Sequence, residues 1–87
     1  MIDFKARIEE MCNTETARKL EGILRRIAEP QIKNPDEYVF CGLSDLPDEE
    51  DQKRLIGYIE KYGITHPSDV IEIVLCIEEG SEPELKE

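Results

Sequence analysis

Residues that most often carry chemistry are scarce in this chain. Its 87 residues include one histidine, His66, and no tryptophan. The three cysteines, Cys12, Cys41 and Cys76, lie far apart without a Cys-x-x-Cys pair, and each sits among apolar residues. Structural zinc sites usually take at least two ligands from one short loop. We therefore expect no metal and no other cofactor, and three buried thiols that stay reduced.

Long apolar runs are absent as well. The first residues lack the basic and apolar regions of a signal peptide, and no segment approaches the roughly 20 apolar residues of a membrane-spanning helix. We expect a cytoplasmic protein without a membrane partner. A chain of 87 residues makes one small domain, and without tryptophan its core must be mainly aliphatic.

Positive charge is scarce in the larger part of the chain. Residues 1–33 carry seven Lys or Arg and six Asp or Glu, a net charge of +1, whereas residues 34–87 carry four and fifteen, a net charge of −11. An anionic surface attracts cationic partners and is repelled by nucleic acid and by anionic membranes. The sequence therefore predicts a protein partner with a basic surface and no direct binding of nucleic acid.

Apolar residues recur with helical spacing in the first third of the chain. A first stripe comprises Phe4, Ile8, Met11 and Cys12, and a second stripe, out of phase with it, comprises Ala17, Leu20, Leu24 and Ile27. Asn13 and Thr14 lie at the phase break and can cap a helix, so we predict two helices, the second ending before Pro30. The outer face of the second helix carries the cations Arg18, Lys19, Arg25 and Arg26, interleaved with glutamates.

The middle of the chain has a helix start with two possible continuations. Asn34 at the N-cap, Pro35 at the first helical position and Glu37 in a capping box predict a short helix that ends at Gly42. The residues from Tyr38 to Cys41 also favour a strand.

Two further helices are predicted in the second half. Pro47 and the acidic run 48–51 open one helix, which has an apolar face of Leu55, Ile56, Ile59 and Tyr62 and ends at Gly63 in a left-handed cap. The last helix begins near Pro67, ends at Gly80 and turns Val70, Ile71, Val74 and Ile77 inward, although the same residues alternate as in a strand. We predict a compact all-α single domain of four or five short helices over residues 1–80, with a frayed acidic tail over residues 81–87. The alternative is an α+β fold with strands near Phe40 and Val74.

No residue constellation predicts catalysis or metal binding. The acids from Asp48 to Asp51 are contiguous, whereas a calcium loop places its carboxylates at alternate positions around a glycine. Ser44 and Ser68 are possible nucleophiles beside His66, but neither lies in a Gly-x-Ser-x-Gly turn. We therefore expect that the protein is not an enzyme.

Two motifs give alternative functions. Residues 55–74 have the outline of a helix-turn-helix, but the second helix offers Asp69, Glu72, Glu78 and Glu79 and no cation to read DNA. Such a unit is expected to serve packing only. The tripeptide Ser44-Asp45-Leu46 resembles the Asp-Ser-Leu phosphopantetheine site of acyl carrier proteins, with the first two residues reversed. This resemblance covers only these residues and implies, as the alternative, an acyl-carrier-like or other small carrier protein.

The charge pattern favours a small acidic, non-catalytic interaction module that docks on a basic surface of a larger protein. A narrower hypothesis is a nucleic-acid mimic. Inhibitors encoded by phages and other mobile elements, some anti-CRISPR proteins among them, place carboxylates in an enzyme's nucleic-acid groove where phosphates would lie. The predicted partner-binding residues are the acids at two helix starts: Asp36, Glu37, Asp48, Glu49, Glu50 and Asp51.

Overall fold

A computed structural model describes residues 3–82, which contain five α-helices and no strand. The all-α prediction is confirmed, and the strand alternatives near Phe40 and Val74 are wrong because both segments are helical. Residues 83–87 lie outside the described part of the chain, so the predicted frayed tail over residues 81–87 stays a prediction. The helices are α1 (Phe4–Met11), α2 (Glu15–Ala28), α3 (Pro35–Asp45), α4 (Glu49–Tyr62) and α5 (Pro67–Glu79).

The helix starts follow the capping residues in part. The Thr14 hydroxyl accepts a hydrogen bond from the Ala17 N–H at 3.1 Å, so Thr14 caps α2 as predicted. Asn34 precedes α3 at the expected place, but neither its side chain nor a capping box contributes a cap hydrogen bond. Its backbone (φ −120°, ψ 77°) departs from the extended conformation that is typical of a capping residue.

The helix ends depend on glycine at two of the three predicted positions. Gly63 and Gly80 adopt left-handed conformations (φ 61° and 76°) after α4 and α5. The Ile64 N–H then donates to the Ile59 carbonyl at 3.0 Å, which is the hydrogen bond of a Schellman motif. Gly42 does not end α3, which continues to Asp45. A Cβ at Gly42 would lie 2.8 Å from Leu24 Cδ1, so this glycine permits the close approach of α2 and α3.

The core is aliphatic, as expected for a chain without tryptophan. Its members come from all five helices and from the loop residue Leu46. The prediction for α5 is wrong at Ile71, which is half exposed, whereas Ile73 is fully buried. The inward stripe is therefore Val70, Ile73, Val74 and Ile77.

Helix α2 contacts α3, α4 and α5. It runs alongside α4 in the same direction, because Thr16 near its start donates a hydrogen bond to Glu49 at 2.8 Å and Gln31 beyond its end donates to the Thr65 carbonyl at 2.8 Å. Helix α1 packs on α3, where Phe4 contacts Phe40 with ring centroids 5.3 Å apart, whereas α5 packs mainly on α4 and also contacts α3. This packing leaves the outward face of α5 uncovered.

Candidate functional site

Two large aliphatic side chains are exposed on α5. Ile71 and Leu75 keep 52% and 51% of their surface accessible, and within residues 3–82 they are the exposed large hydrophobic residues. A separation of four residues places them on one stripe of the helix. Contiguous exposed apolar surface is a feature of interaction sites, so this stripe is a candidate for one.

This stripe forms one wall of a groove between α3 and α5 with a volume of about 190 Å³. Buried Val70 and Val74 form its floor. The second wall is a stripe of α3 with residues three, four and seven positions apart, so that they share one helical face. These residues of the α3–α5 groove are Tyr38, Cys41, Gly42 and Asp45.

Tyr38 holds the two walls together. Its phenol donates a hydrogen bond to the Pro67 carbonyl at 2.9 Å, at the first residue of α5. Burial of the ring raises the pKa of the Tyr38 phenol, so the group stays neutral and remains a donor. The groove therefore has a hydrogen bond between its two walls at one end, and most of its lining is apolar.

The rim of the α3–α5 groove is acidic. Neither α3 nor α5 contains a Lys or Arg, whereas together they carry seven carboxylates. Leu75 has three of these within one helical turn, since Glu72, Glu78 and Glu79 are three or four residues from it. The seven are Asp36, Glu37, Asp45, Asp69, Glu72, Glu78 and Glu79, of which Asp36 bonds to Arg25 of α2 and does not belong to the rim.

Cys41 reports on this environment. It is exposed as a residue, so the prediction that all three cysteines are buried is wrong there, while Cys12 and Cys76 are half-buried. Partial desolvation of the Cys41 thiol raises its pKa, and the negative charges of Asp45 and Glu37 raise it further. Glu37 and Asp45 are each four residues from Cys41 on α3, so the three side chains share one face of that helix.

The predicted partner-binding acids do not form one cluster. The Asp36 carboxylate accepts a hydrogen bond from Arg25 Nη1 at 2.5 Å, and Glu49 accepts one from Thr16. Thr16 and Arg25 are nine residues apart on α2, which is about 14 Å along the helix. The two acidic groups thus lie near opposite ends of α2.

The other predicted acids differ in exposure. Asp48, Glu50 and Glu37 are exposed, and Asp51 is half-buried. Of the six, Glu37 lies close enough to the α3–α5 groove to affect the Cys41 thiol. The remaining five contribute to the general negative field of the protein.

A second concavity lies between α2 and α4. It has a volume of about 460 Å³, an aliphatic floor that includes Ile27 and Ile59, and the cations Arg18, Lys19 and Arg26 at its edge. Two of these cations already bond within the molecule. Lys19 forms an exposed ion pair with Glu60 at 3.6 Å, and Arg18 donates to the Cys12 carbonyl at 3.2 Å. We name this the α2–α4 cleft.

Ser44, the residue that would carry the group in the alternative carrier function, has few reactive side chains around it. Ser44 is exposed in the last turn of α3, beside a hollow that Asn13 and Gln52 also line. Gln52 is buried and donates to the Leu46 carbonyl at 2.9 Å, while its Oε1 has no hydrogen-bond partner among the described residues. This hollow contains no charged side chain.

The described part of the chain does not bring together side chains that could bind a metal ion or form a nucleophile–histidine pair. Within residues 3–82, no three His, Cys, Asp or Glu side chains are placed to hold a metal ion. His66 is exposed at the N-cap of α5, and no hydrogen bond there joins it to Ser44 or Ser68. None of the five helices is both long and apolar enough to cross a membrane.

The sequence does not predict the α3–α5 groove, because its periodicity places Ile71 in the core. A signal is present: seven of the eight residues from 70 to 77 are apolar, which is more than one buried helical stripe can contain.

In comparisons with protein-family models, curated proteins and solved structures, nothing matches this chain.

Proposed function

We propose that this protein is a small, acidic, non-catalytic interaction module that binds a basic surface of a larger protein. The observation that supports this most strongly is the position of Ile71 and Leu75, exposed on α5, a helix whose charged side chains are all carboxylates. Apolar contact supplies binding free energy, while the carboxylates select cationic partners and accelerate association.

The magnitudes favour an interaction that needs both contributions. Complete burial of one large aliphatic side chain is worth roughly 1.5 to 3 kcal/mol, and Ile71 and Leu75 have about half of their surface left to bury. Exposed ion pairs add roughly 0.2 to 1 kcal/mol each and weaken with salt. We therefore expect moderate affinity that falls as the ionic strength rises.

The test compares two charge reversals of equal size. Glu78→Lys/Glu79→Lys changes the last turn of α5 beside the groove, whereas Glu9→Lys/Glu10→Lys changes the last turn of α1, which does not line it. Partners captured from the native host are purified, and their affinities for the wild type and both variants are measured at low and high salt. We expect a large loss with the α5 variant, a small loss with the α1 variant, and weaker binding at high salt.

A competition arm examines the narrower hypothesis of a nucleic-acid mimic. The purified partner is loaded with its DNA or RNA and then titrated with this protein. Displacement of the nucleic acid is the expected result for a mimic, and continued binding is the expected result for an adaptor. Equal affinity of all three proteins at both salt concentrations would contradict the proposed function.

A further inference from the structure

We propose that the α3–α5 groove binds one amphipathic, cationic α-helix of the partner. In this arrangement an apolar side chain of that helix lies between the α3 wall and the stripe of Ile71 and Leu75, and its Lys or Arg residues meet the carboxylates of both rims. The proposal rests on the proposed function, since it specifies which element of a basic partner is bound and where.

The shape of the groove favours a helix over an extended peptide. An extended strand binds by hydrogen bonds to a sheet edge, and residues 3–82 contain no strand. A polyproline helix binds between several aromatic side chains. Among the described residues, Tyr38 is the one aromatic side chain that lines this groove, and its hydroxyl is already bonded to Pro67. Two helical walls present ridges between which the side chains of a third helix can pack.

The volume fits one large anchor. An engineered apolar cavity of about 150 Å³ holds a benzene molecule. The α3–α5 groove, at about 190 Å³, therefore has room for one side chain such as Leu, Met or Phe. Apolar residues three and four positions away on the bound helix would then cover the exposed surfaces of Ile71 and Leu75.

The spacing of the carboxylates on the two rims determines the length of the cationic segment that the bound helix needs. On the α3 side Glu37 and Asp45 are eight residues apart, about 12 Å along the helix. On the α5 side Glu72 and Glu79 are seven residues apart, about 10 Å. Both rims thus extend over about two turns of a bound helix, which needs Lys or Arg on both flanks of its apolar stripe. The raised pKa of the Cys41 thiol agrees with carboxylates close to the groove on the α3 side.

A second copy of this chain is a poorer occupant. A two-fold contact through the α3–α5 groove would place the carboxylates of one copy against those of the other, with no Lys or Arg on either helix. A head-to-tail contact with the α2–α4 cleft meets cations, but Lys19 and Arg18 are already bonded within their own molecule.

The experiment uses the full chain and a defined peptide. The probe is a fluorescent 18-residue peptide of Leu and Lys, with Leu on one helical face. A second peptide has the same composition, but its Leu residues are distributed around the helix. Fluorescence anisotropy measures the affinity of each peptide for the wild type. We expect the amphipathic peptide to bind at least tenfold more tightly than its scrambled counterpart.

Two comparisons localise the binding. Ile71→Ser/Leu75→Ser should reduce the affinity at least tenfold, because it removes the apolar wall, while circular dichroism should remain that of the wild type. If that variant unfolds, the peptide affinities of Glu78→Lys/Glu79→Lys and Glu9→Lys/Glu10→Lys are compared instead. A larger loss with the α5 variant would place the peptide at the α3–α5 groove. Cys41 is a native reporter, since the bound peptide should slow its alkylation while leaving that of Cys12 unchanged.

The possible results separate the two proposals. Equal, salt-sensitive binding of both peptides would overturn the helix-in-groove proposal while leaving a basic partner in place. Absence of binding by either peptide would overturn both proposals. Sedimentation of the wild type without peptide tests whether the protein self-associates. Self-association that Ile71→Ser/Leu75→Ser abolishes would identify a second copy as the occupant of the groove and overturn the proposal of a partner helix.

Discussion

Helices α2 and α5 have similar lengths, and each buries one aliphatic stripe, but their outer faces differ. The outer face of α2 carries Arg, Lys and Glu, and several of its charges have partners within the molecule: Arg25 bonds to Glu21 and Asp36, and Lys19 to Glu60. The outer face of α5 carries Ile71 and Leu75 among carboxylates. Within residues 3–82, none of the acids of α5 forms an ion pair.

This difference distinguishes a surface completed by the fold from one that is not. The α2 face needs no partner, because solvent and internal ion pairs satisfy its charges. The α5 face exposes apolar surface that folding alone does not bury, and its carboxylates form no ion pair within residues 3–82. We therefore propose that α5, with α3 beside it, provides the binding surface, and that the basic face of α2 does not.

The largest expected difference is between two Leu→Ala substitutions, one on each helix. Leu24 on α2 is fully buried, so Leu24→Ala should lower the free energy of unfolding by about 2 to 5 kcal/mol. Leu75 on α5 is half exposed, so Leu75→Ala should change it by less than about 0.5 kcal/mol. Urea denaturation of the two variants provides the measurement. Similar losses would show that Leu75 belongs to the core and that the groove is closed.

A smaller effect is expected from two glycines inside helices. At Gly42 a new Cβ meets the buried side chain of Leu24, so Gly42→Ala should destabilise the protein by about 1 kcal/mol, despite alanine's higher helix propensity. At Gly22 on α2 nothing lies within 4 Å of the Cβ position, so Gly22→Ala should stabilise by roughly 0.5 to 1 kcal/mol. Thermal unfolding of both variants decides this. A stabilising Gly42→Ala would mean that α2 and α3 approach less closely than described.

The smallest effect concerns the reactivity of Cys41. Alkylation at neutral pH should modify exposed Cys41 before half-buried Cys12 and Cys76. Because desolvation, Asp45 and Glu37 raise the pKa of the Cys41 thiol, the alkylation rate should rise with pH and reach half of its maximum at a pH above the usual thiol pKa. Removal of one negative charge lowers that pKa, so Asp45→Asn should accelerate alkylation a few-fold at pH 7.5. Mass spectrometry of the labelled peptides measures each rate, and an unchanged rate would place Asp45 away from the groove.

Local signals predicted the helices well. Thr14, Gly63 and Gly80 act through their own backbone neighbourhood, so their positions in the sequence sufficed to predict the cap of α2 and the ends of α4 and α5. Gly42 depends on Leu24, eighteen residues away, and no local pattern distinguishes a glycine that ends a helix from one that permits close packing.

The candidate site was harder to predict because it depends on tertiary packing. The acidic runs 36–37 and 48–51 are prominent in the sequence, but whether they share a face depends on how α3 and α4 pack on α2. The groove needs α3 beside α5, and periodicity within α5 alone cannot show which of its two apolar stripes is covered. Only the excess of apolar residues between 70 and 77 indicated that one stripe would stay exposed.

Backbone amide chemical-shift mapping tests the central claim most directly. The ¹⁵N-labelled full chain is titrated with the amphipathic Leu/Lys peptide, and the shift changes are followed residue by residue. We predict that the largest changes fall within residues 37–45 and 70–79, on the two walls of the α3–α5 groove. Changes centred on residues 48–51, or on the α2–α4 cleft, would contradict the assignment of this groove as the binding site.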